Sequence, residues 1–197
     1  ASCRCWKWKG VVPPDTPARR EFVHALAEIA GRIAESLRGV APAALPIRMY
    51  IAGGAALHFH TGERVSNDVD AAFSHRIALP EDLEVAWRDS DGASRLLYFD
   101  RNYNDTFALL HEAAYDDSHA LTLPGVDATL LDVRLLSPLD LAVSKLGRFS
   151  GQDREDILAL AGHGLVDAAG LRARAEDALA GYVGDTARVR NSIDIAC

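Results

Sequence analysis

The sequence predicts an α/β fold of the α+β class, in which a mixed sheet core is followed by a C-terminal helical portion. Up to about residue 136, short apolar runs rich in β-branched residues alternate with segments of helical periodicity. From residue 137 onward, the apolar spacing is helical throughout. The 197 residues, of which 49% are hydrophobic and 25% charged, suit one domain or a domain with a helical extension.

The first two thirds of the chain contain the predicted strands. Apolar residues three and four apart, beginning with Phe22 and Leu26, predict a helix that ends at Gly39. Pro80 followed by acidic residues favours a later helix start. The elements expected after the first helix are a strand at 47–53, a short helix at 54–62, strands at 66–74 and 95–100, helices at 79–90 and 105–115, and strands at 120–123 and 128–136.

The last third is predicted to contain four helices. Ser137 is a good N-cap, and Pro138 suits the first helical position. The helices are expected at 137–150, 151–164, 166–184 and 185–196. We therefore divide the chain into an N-terminal tail and helix (1–45), a core (46–136) and a helical portion (137–197), and we expect one compact unit.

Charge and cysteine content narrow the function classes. The net charge of −7 does not favour nucleic-acid binding by the molecule as a whole, so such a partner would need a local basic patch or a metal ion. Three cysteines, with Cys3 and Cys5 at one end and Cys197 at the other, indicate a reducing cytoplasm rather than a disulfide framework. No apolar run is long enough for a membrane helix.

The first ten residues, ASCRCWKWKG, lack the apolar segment of a signal peptide. We expect a processed or truncated tail at this end. Trp6 and Trp8 alternate with lysines there, which suits a short edge strand or, by loose analogy, a nucleic-acid contact.

Asp68 and Asp70 are the most informative residues of the sequence. They lie one residue apart within an apolar run, and in a strand such residues point to the same side. Two like charges at that spacing repel and raise each other's proton affinity, a problem that a divalent cation between them removes. The alternative is a pair of solvated acids at the end of a strand.

Gly53 and Gly54 provide a second feature, at a predicted junction between strand and helix. Glycine lets the backbone approach a ligand, and the N-terminus of a helix offers unpaired N–H groups to a phosphate. Mg²⁺ binds a few carboxylates and leaves room for phosphate oxygens. The glycines and the acid pair together supply both halves of a phosphoryl- or nucleotidyl-transfer site.

The order Gly53-Gly54 and then Asp68-Val69-Asp70 resembles the signature of the nucleotidyltransferase superfamily that shares the polymerase β-like core. Arg64 and Ser66, in ERVSNDVD, are similar to the pattern of the branch that contains abortive-infection and toxin–antitoxin nucleotidyltransferases. That branch also has a helix with a lysine followed by a helix with an acid. The matching residues are Lys145 and either Asp153 or Asp156, so the resemblance covers about residues 50–163.

The resemblance implies a nucleotidyltransferase-like core with roles for the matching residues. Asp68 and Asp70 would hold Mg²⁺ or Mn²⁺, while Lys145 would contact the triphosphate. Asp156, or alternatively Asp153, would arrange the site or activate the acceptor. The triphosphate would approach Gly53 and Gly54, with Ser66 nearby. For the third metal-facing carboxylate of the family we expect Asp132, with Asp100 as its competitor.

The resemblance also implies a bacterial enzyme that moves a nucleoside monophosphate from an NTP to a hydroxyl group. The expected acceptors are tRNA and a partner protein, in a toxin–antitoxin system with a cognate antitoxin. A group of arginines in the helical portion offers a local basic supply: Arg148, Arg154, Arg172, Arg174, Arg188 and Arg190. The alternative is a catalytically silent member that serves as a binding or antitoxin module.

Several of these residues also have ordinary structural explanations. Lys145 could be an exposed helical lysine, and Asp153 and Asp156 could be acids that favour the start of a helix. His58 and His60 are expected to be structural. The polar residues of HEAAYDDSH, namely His111, Asp116, Asp117 and His119, are expected to form a polar loop rather than a site.

Overall fold

The computed structural model describes residues 16–102 and 108–197. The expected tail contacts of Trp6 and Trp8 and the start of the helix expected at 105–115 lie outside these residues. The helices are α1 (Arg20–Ser36), α2 (Gly53–Thr61), α3 (Pro138–Leu146), α4 (Gly151–Gly162), α5 (Ala168–Ala178) and α6 (Thr186–Ala196). The strands are β1 (Ile47–Ile51), β2 (Asp68–Val69), β3 (Ala71–Phe73), β4 (Glu84–Arg88), β5 (Ser94–Phe99), β6 (His119–Ala120) and β7 (Leu131–Leu135).

The strands form two sheets of mixed direction, which confirms the predicted α+β class. In the first sheet the order is β3-β1-β7-β6, and only β1 and β7 are parallel. In the second sheet the order is β2-β5-β4, with β2 parallel and β4 antiparallel to β5. The helical portion that follows β7 was also predicted.

The chain passes from the second sheet to the first at Asp70. The strand predicted at 66–74 is therefore two short strands, β2 and β3, that belong to different sheets. The Asp70 carbonyl accepts a hydrogen bond of 2.8 Å from the Ala52 N–H, at the end of β1. This bond holds residues 68–70 beside the glycine turn that begins α2.

A continuous hydrophobic core supports both sheets. Helix α1 is buried along one face, including Phe22, Leu26 and Ile29, and it packs against β4. The same core continues through the sheets to Leu141 on α3 and Val189 on α6. Burying each large apolar side chain contributes about 1.5–3 kcal/mol to the free energy of unfolding. The close-packed core therefore holds the strands and helices that carry the site in fixed positions.

The helix predicted at 79–90 is wrong. Residues 84–88 instead form β4, in which Val85 is buried while Glu84 and Ala86 are exposed. This alternation is the period of a strand covered on one face, and the pairing with β5 outweighs the helix-start signal of Pro80.

The described part of the helix predicted at 105–115 is also wrong, because residues 108–111 have no regular structure and residues 112–115 form turns. The His111 ring accepts a hydrogen bond from the Ala113 N–H (3.1 Å) and contacts Asp177. A side chain that bonds the local backbone in this way competes with helical hydrogen bonding. Within the described residues, no helix is both long and apolar enough to cross a membrane.

Candidate functional site

Three aspartates lie at and just beyond the ends of two paired strands of the second sheet, β2 and β5. Asp68 and Val69 are paired in parallel with Tyr98 and Phe99, and the Asp100 N–H donates to the Val69 carbonyl at 3.0 Å. If the alternation of β2 and β5 continues one residue past their ends, Asp68, Asp70 and Asp100 project to the same side, and the negative charges of Asp68 and Asp100 do act on Asp70. We call these three residues the acid cluster.

The charges around Asp70 show which groups are its neighbours. Burial, together with the negative charges of Asp68 and Asp100, raises the pKa of Asp70 to about 6. The positive charges of Lys145 and Arg148 act in the opposite direction. The fold thus brings Lys145 close to the acid pair from 75 residues further along the sequence, and the acid cluster holds excess negative charge that a cation would relieve.

Neighbouring side chains leave no room for a Cβ atom at Gly53 or Gly54. Gly53 has a φ of +58°, and a Cβ atom there would overlap the carboxylate of Asp70. A Cβ on Gly54 would lie 2.7 Å from Ser66 Oγ and 3.0 Å from Arg64 Nη2. The N-cap residue Ala52 provides no side-chain hydrogen bond to the first amides of α2.

Ser66 contacts the acid cluster rather than standing apart from it. Its side chain is buried, and its hydroxyl donates a short hydrogen bond to Oδ1 of Asp68. The residue therefore orients one carboxylate of the pair from beside the glycine turn.

Asp156 is the centre of a buried ionic cluster. Lys145 Nζ donates to its Oδ2 at 2.6 Å, and Arg64 Nη2 lies 3.0 Å from the same oxygen. Gln152 Nε2 donates to Oδ1 at 3.2 Å. The side chain of Lys145 is 6% exposed and that of Asp156 is 3% exposed, so Lys145 is not the ordinary exposed lysine that was the structural alternative.

Asp153 has a different environment from Asp156. It forms a capping box with Ser150 at the start of α4, and Arg148 donates two hydrogen bonds of 2.8 Å to it. Burial alone would raise the pKa of Asp153, but the hydrogen bonds from Arg148 and Ser150 lower it to about 2. Between the two acids that the sequence left open, Asp156 is the one bonded to Lys145.

Asp132 lies away from the acid cluster. It is paired in register with Arg48 on β1, and its carboxylate contacts Arg48 at 3.9 Å and Arg134 at 3.4 Å. Ala52, whose N–H bonds the Asp70 carbonyl, lies four residues after Arg48 along the chain. At the rise of a strand, this separates the backbone at Asp70 from that at Asp132 by about 13 Å. The third acid whose charge acts on Asp70 is Asp100, not the favoured Asp132.

The histidines have structural contacts, as expected. The Nε2 atom of buried His58 accepts from the Arg19 N–H at 3.0 Å, and His60 Nε2 bonds the Leu136 carbonyl at 2.9 Å. In the polar loop, His111 contacts Asp177 and Asp117 contacts Arg174. These residues do not converge on one point.

Most of the arginines expected to form a basic supply already have partners. Arg172 contacts Asp194, Arg174 contacts Asp140, and Arg188 donates to the Gly147 carbonyl. Arg148 bonds Asp153, and Arg154 lies 4.6 Å from the centre of the Phe149 ring. The charges of Arg148, Arg172 and Arg174 are therefore paired with acids within the protein.

One exposed surface adjoins the acid cluster. Leu96 and Tyr98 lie on the same face of β5 as Asp100, and they are 44% and 42% exposed. Tyr98 is the residue directly opposite Asp68. A separate cavity of about 830 Å³ lies along α1, between Gly31 and Pro124; none of its lining residues belongs to the acid cluster or to the ionic cluster of Asp156.

The residues of the acid cluster suit Mg²⁺ only as a partial donor set. In residues 16–102 and 108–197, no three acidic, histidine or cysteine side chains gather closely enough to hold a metal by themselves. Mg²⁺ does not require such a cage, because it commonly binds one or two carboxylates and takes its other ligands from phosphate and water. The excess negative charge on Asp70 fits this arrangement.

The sequence favoured Asp132 over Asp100 as the third acid. It gave no sign of the bond between Gln152 and Asp156 or of the effect of the Arg148 charge on Asp70. The position of Asp100 directly after an apolar strand made it a candidate. That it lies beside Asp70 follows only from the pairing of β2 with β5. Gln152 lies one turn before Asp156, a helical spacing that places both on one face.

Comparison with known proteins agrees with the fold and the motifs. A family model described as a nucleotidyltransferase of unknown function (DUF6036) matches residues 30–195. No curated protein matches the chain. The description names no substrate and no branch, so the relation to abortive-infection and toxin–antitoxin enzymes stays an expectation from the sequence. Because residues 30–195 are most of the chain, the chain belongs to this family of nucleotidyltransferases of unknown function.

Proposed function

We propose that the protein transfers a nucleoside monophosphate from an NTP to a hydroxyl group, with Mg²⁺ or Mn²⁺ held by Asp68 and Asp70. The observation that carries the proposal is the acid cluster beside the glycine turn, with Lys145 near enough for its charge to act on Asp70. We assign the third carboxylate to Asp100, because it shares the face of the pair. The family supports the reaction class.

In the proposed reaction, the acceptor oxygen forms a bond to the α-phosphorus, and the bond from that phosphorus to the bridging oxygen breaks. Pyrophosphate leaves, and the acceptor proton passes to Asp100. The cation, when bound, would neutralise phosphate charge and polarise the hydroxyl. Gly53 and Gly54 leave room for the triphosphate, and Ser66 orients Asp68. Lys145 adds positive charge near the phosphates, the kind of help that phosphoryl transfer needs.

For the acceptor we propose a hydroxyl on tRNA or on a partner protein, and a cognate antitoxin as a further partner. The face of Leu96 and Tyr98 supports a macromolecular acceptor, because it adjoins the acid cluster and leaves two large apolar side chains more than 40% exposed. A second candidate is a silent binding module. The closed pair of Lys145 with Asp156 favours it, since that lysine is satisfied within the protein.

The test is incubation of the protein with each α-labelled NTP, Mg²⁺ and either total RNA or candidate partner proteins. We expect label on one class of acceptor, and we expect none with the double variant Asp68→Asn/Asp70→Asn. Asp194→Asn is the matched control, because Asp194 is exposed and pairs with Arg172 in the helical portion. In calorimetry, the double variant should also lose metal-dependent NTP binding. Unchanged binding in that variant would reject the metal assignment, and NTP binding without transfer would favour the silent module.

A further inference from the structure

Arg64 stands between the glycine turn and the ionic cluster. On one side its Nη2 contacts both oxygens of Asp156, at 3.0 and 3.3 Å. On the other side the same atom lies 3.0 Å from the position that a Cβ on Gly54 would occupy. The guanidinium therefore borders the first turn of α2, whose N-cap residue, Ala52, offers no side-chain hydrogen bond to the amides.

The two cations of this cluster differ in what remains available to a ligand. Lys145 is 6% exposed, and its ammonium lies 2.6 Å from Asp156. Arg64 is 37% exposed, and its Nε is a buried donor without a partner in the described structure. A guanidinium has five N–H donors, so the bonds to Asp156 leave others unused.

Asp156 is saturated by its neighbours. Its two oxygens accept hydrogen bonds from Lys145, Arg64 and Gln152, and its side chain is 3% exposed. A carboxylate in that state is poorly placed to take a proton from an acceptor hydroxyl. With two cations around one anion, the cluster keeps one positive charge, and the exposed part of it is on Arg64.

We propose that Arg64 is the side chain that contacts the phosphates of the nucleotide at the glycine turn, and that Asp156 is a positioning residue for it. Lys145 holds Asp156 in place through its bond of 2.6 Å and adds positive charge near the phosphates without contacting them. This inference rests on the proposed function. The planar fork of arginine suits phosphate oxygens. A small rotation of the side chain would let a phosphate accept a hydrogen bond from the unpaired Nε, which removes the cost of leaving a buried donor unsatisfied.

The test measures phosphate binding separately from base binding. The probes are the four NTPs, inorganic tripolyphosphate and the four nucleosides, each titrated with Mg²⁺ into the full chain. Arg64→Met should weaken NTP and tripolyphosphate binding by about 10- to 100-fold, the size of a lost charge-assisted contact. Nucleoside affinity should not change. Arg38→Met is the matched control, since Arg38 lies on the surface and pairs with Glu35.

Arg64→Lys keeps the charge but loses the fork, and it decides the question if Arg64→Met does not fold. We expect it to bind tripolyphosphate several-fold more weakly than the wild type while its thermal midpoint stays close. Wild-type tripolyphosphate affinity in a folded Arg64 variant would overturn the inference and leave Arg64 as a structural partner of Asp156. Absence of NTP binding by the wild type itself would instead overturn the proposed function, and this inference with it.

Discussion

Asp70 combines two requirements that conflict when no cation is present. Its backbone joins the two sheets, while its carboxylate is packed against Gly53 and repelled by Asp68 and Asp100. Its pKa, about 6 against an ordinary 3.8, means that the folded state binds a proton more tightly than the unfolded state. The contribution of Asp70 to stability is therefore fully present below pH 3.8 and is lost as the pH rises through about 6.

Replacing Asp70 with Asn should therefore stabilise the metal-free protein at neutral pH. At pH 7.5 in a chelator, we expect Asp70→Asn to raise the free energy of unfolding by on the order of 1 kcal/mol, a value reduced for the partial exposure of the group. Below pH 4 the difference should vanish, because both side chains are then neutral. Thermal or urea unfolding at several pH values measures this. Asp194→Asn, at an exposed position of α6, should show no such pH dependence. A less stable Asp70→Asn at pH 7.5 would contradict the electrostatic account.

At the residue scale, local spacing predicted part of the site. The glycine pair and Asp68-Val69-Asp70 are recognisable because each motif lies within a few residues of sequence. The third acid was not predictable, since Asp132 lies within one apolar strand and Asp100 directly follows another. Only the pairing of β2 with β5 and of β7 with β1 decides which of them meets Asp70. Strand pairing across distant segments is a tertiary property that no local pattern records.

At the element scale, helix α4 separates a structural acid from a functional candidate. Asp153 completes the capping box with Ser150, whereas Asp156, one turn later, faces Lys145. The low pKa of Asp153 means that its stabilisation is present above its ordinary value near 3.8 and is lost as the pH falls toward about 2. The two acids should therefore respond differently to substitution.

Ser150→Ala should destabilise the protein by about 1 kcal/mol through loss of the helix cap, with NTP affinity unchanged. The measurement is urea unfolding at pH 7 beside calorimetric NTP titration. Leu158→Ala is the control, since Leu158 is exposed on the same helix, and it should stay within about 0.5 kcal/mol of the wild type. A large loss of NTP affinity in Ser150→Ala at unchanged stability would show that the cap itself belongs to the binding site.

The elements show where periodicity succeeds and where it fails. α1, α3 and α4 were predicted because their apolar faces or N-caps are encoded within single turns. β4 was not, because Pro80 and two acids favour a helix start while the pairing partner of β4 decides its conformation. The switch between sheets at Asp70 was likewise hidden in one apolar run.

At the scale of the whole molecule, charge bears on the acceptor. The chain carries a net charge of −7, and five of the six arginines expected to form a basic supply contact acids, carbonyls or a ring within the protein. If RNA is the acceptor, few phosphate contacts are therefore available. An exposed aromatic ring, Tyr98, lies opposite Asp68 and can stack on an unpaired base. We expect stacking to contribute as much as charge.

A salt titration of tRNA binding distinguishes these contributions. For about three or four phosphate contacts, the logarithm of the binding constant should fall with the logarithm of salt concentration with a slope of about −2 to −3. Tyr98→Ala should weaken binding by about 1–3 kcal/mol without changing that slope, because stacking releases no counterions. Leu158→Ala, at an exposed apolar position of α4, is the matched control. A slope near zero would exclude RNA and direct the search to a partner protein, whereas a slope of about −6 would require the paired arginines to open toward the nucleic acid.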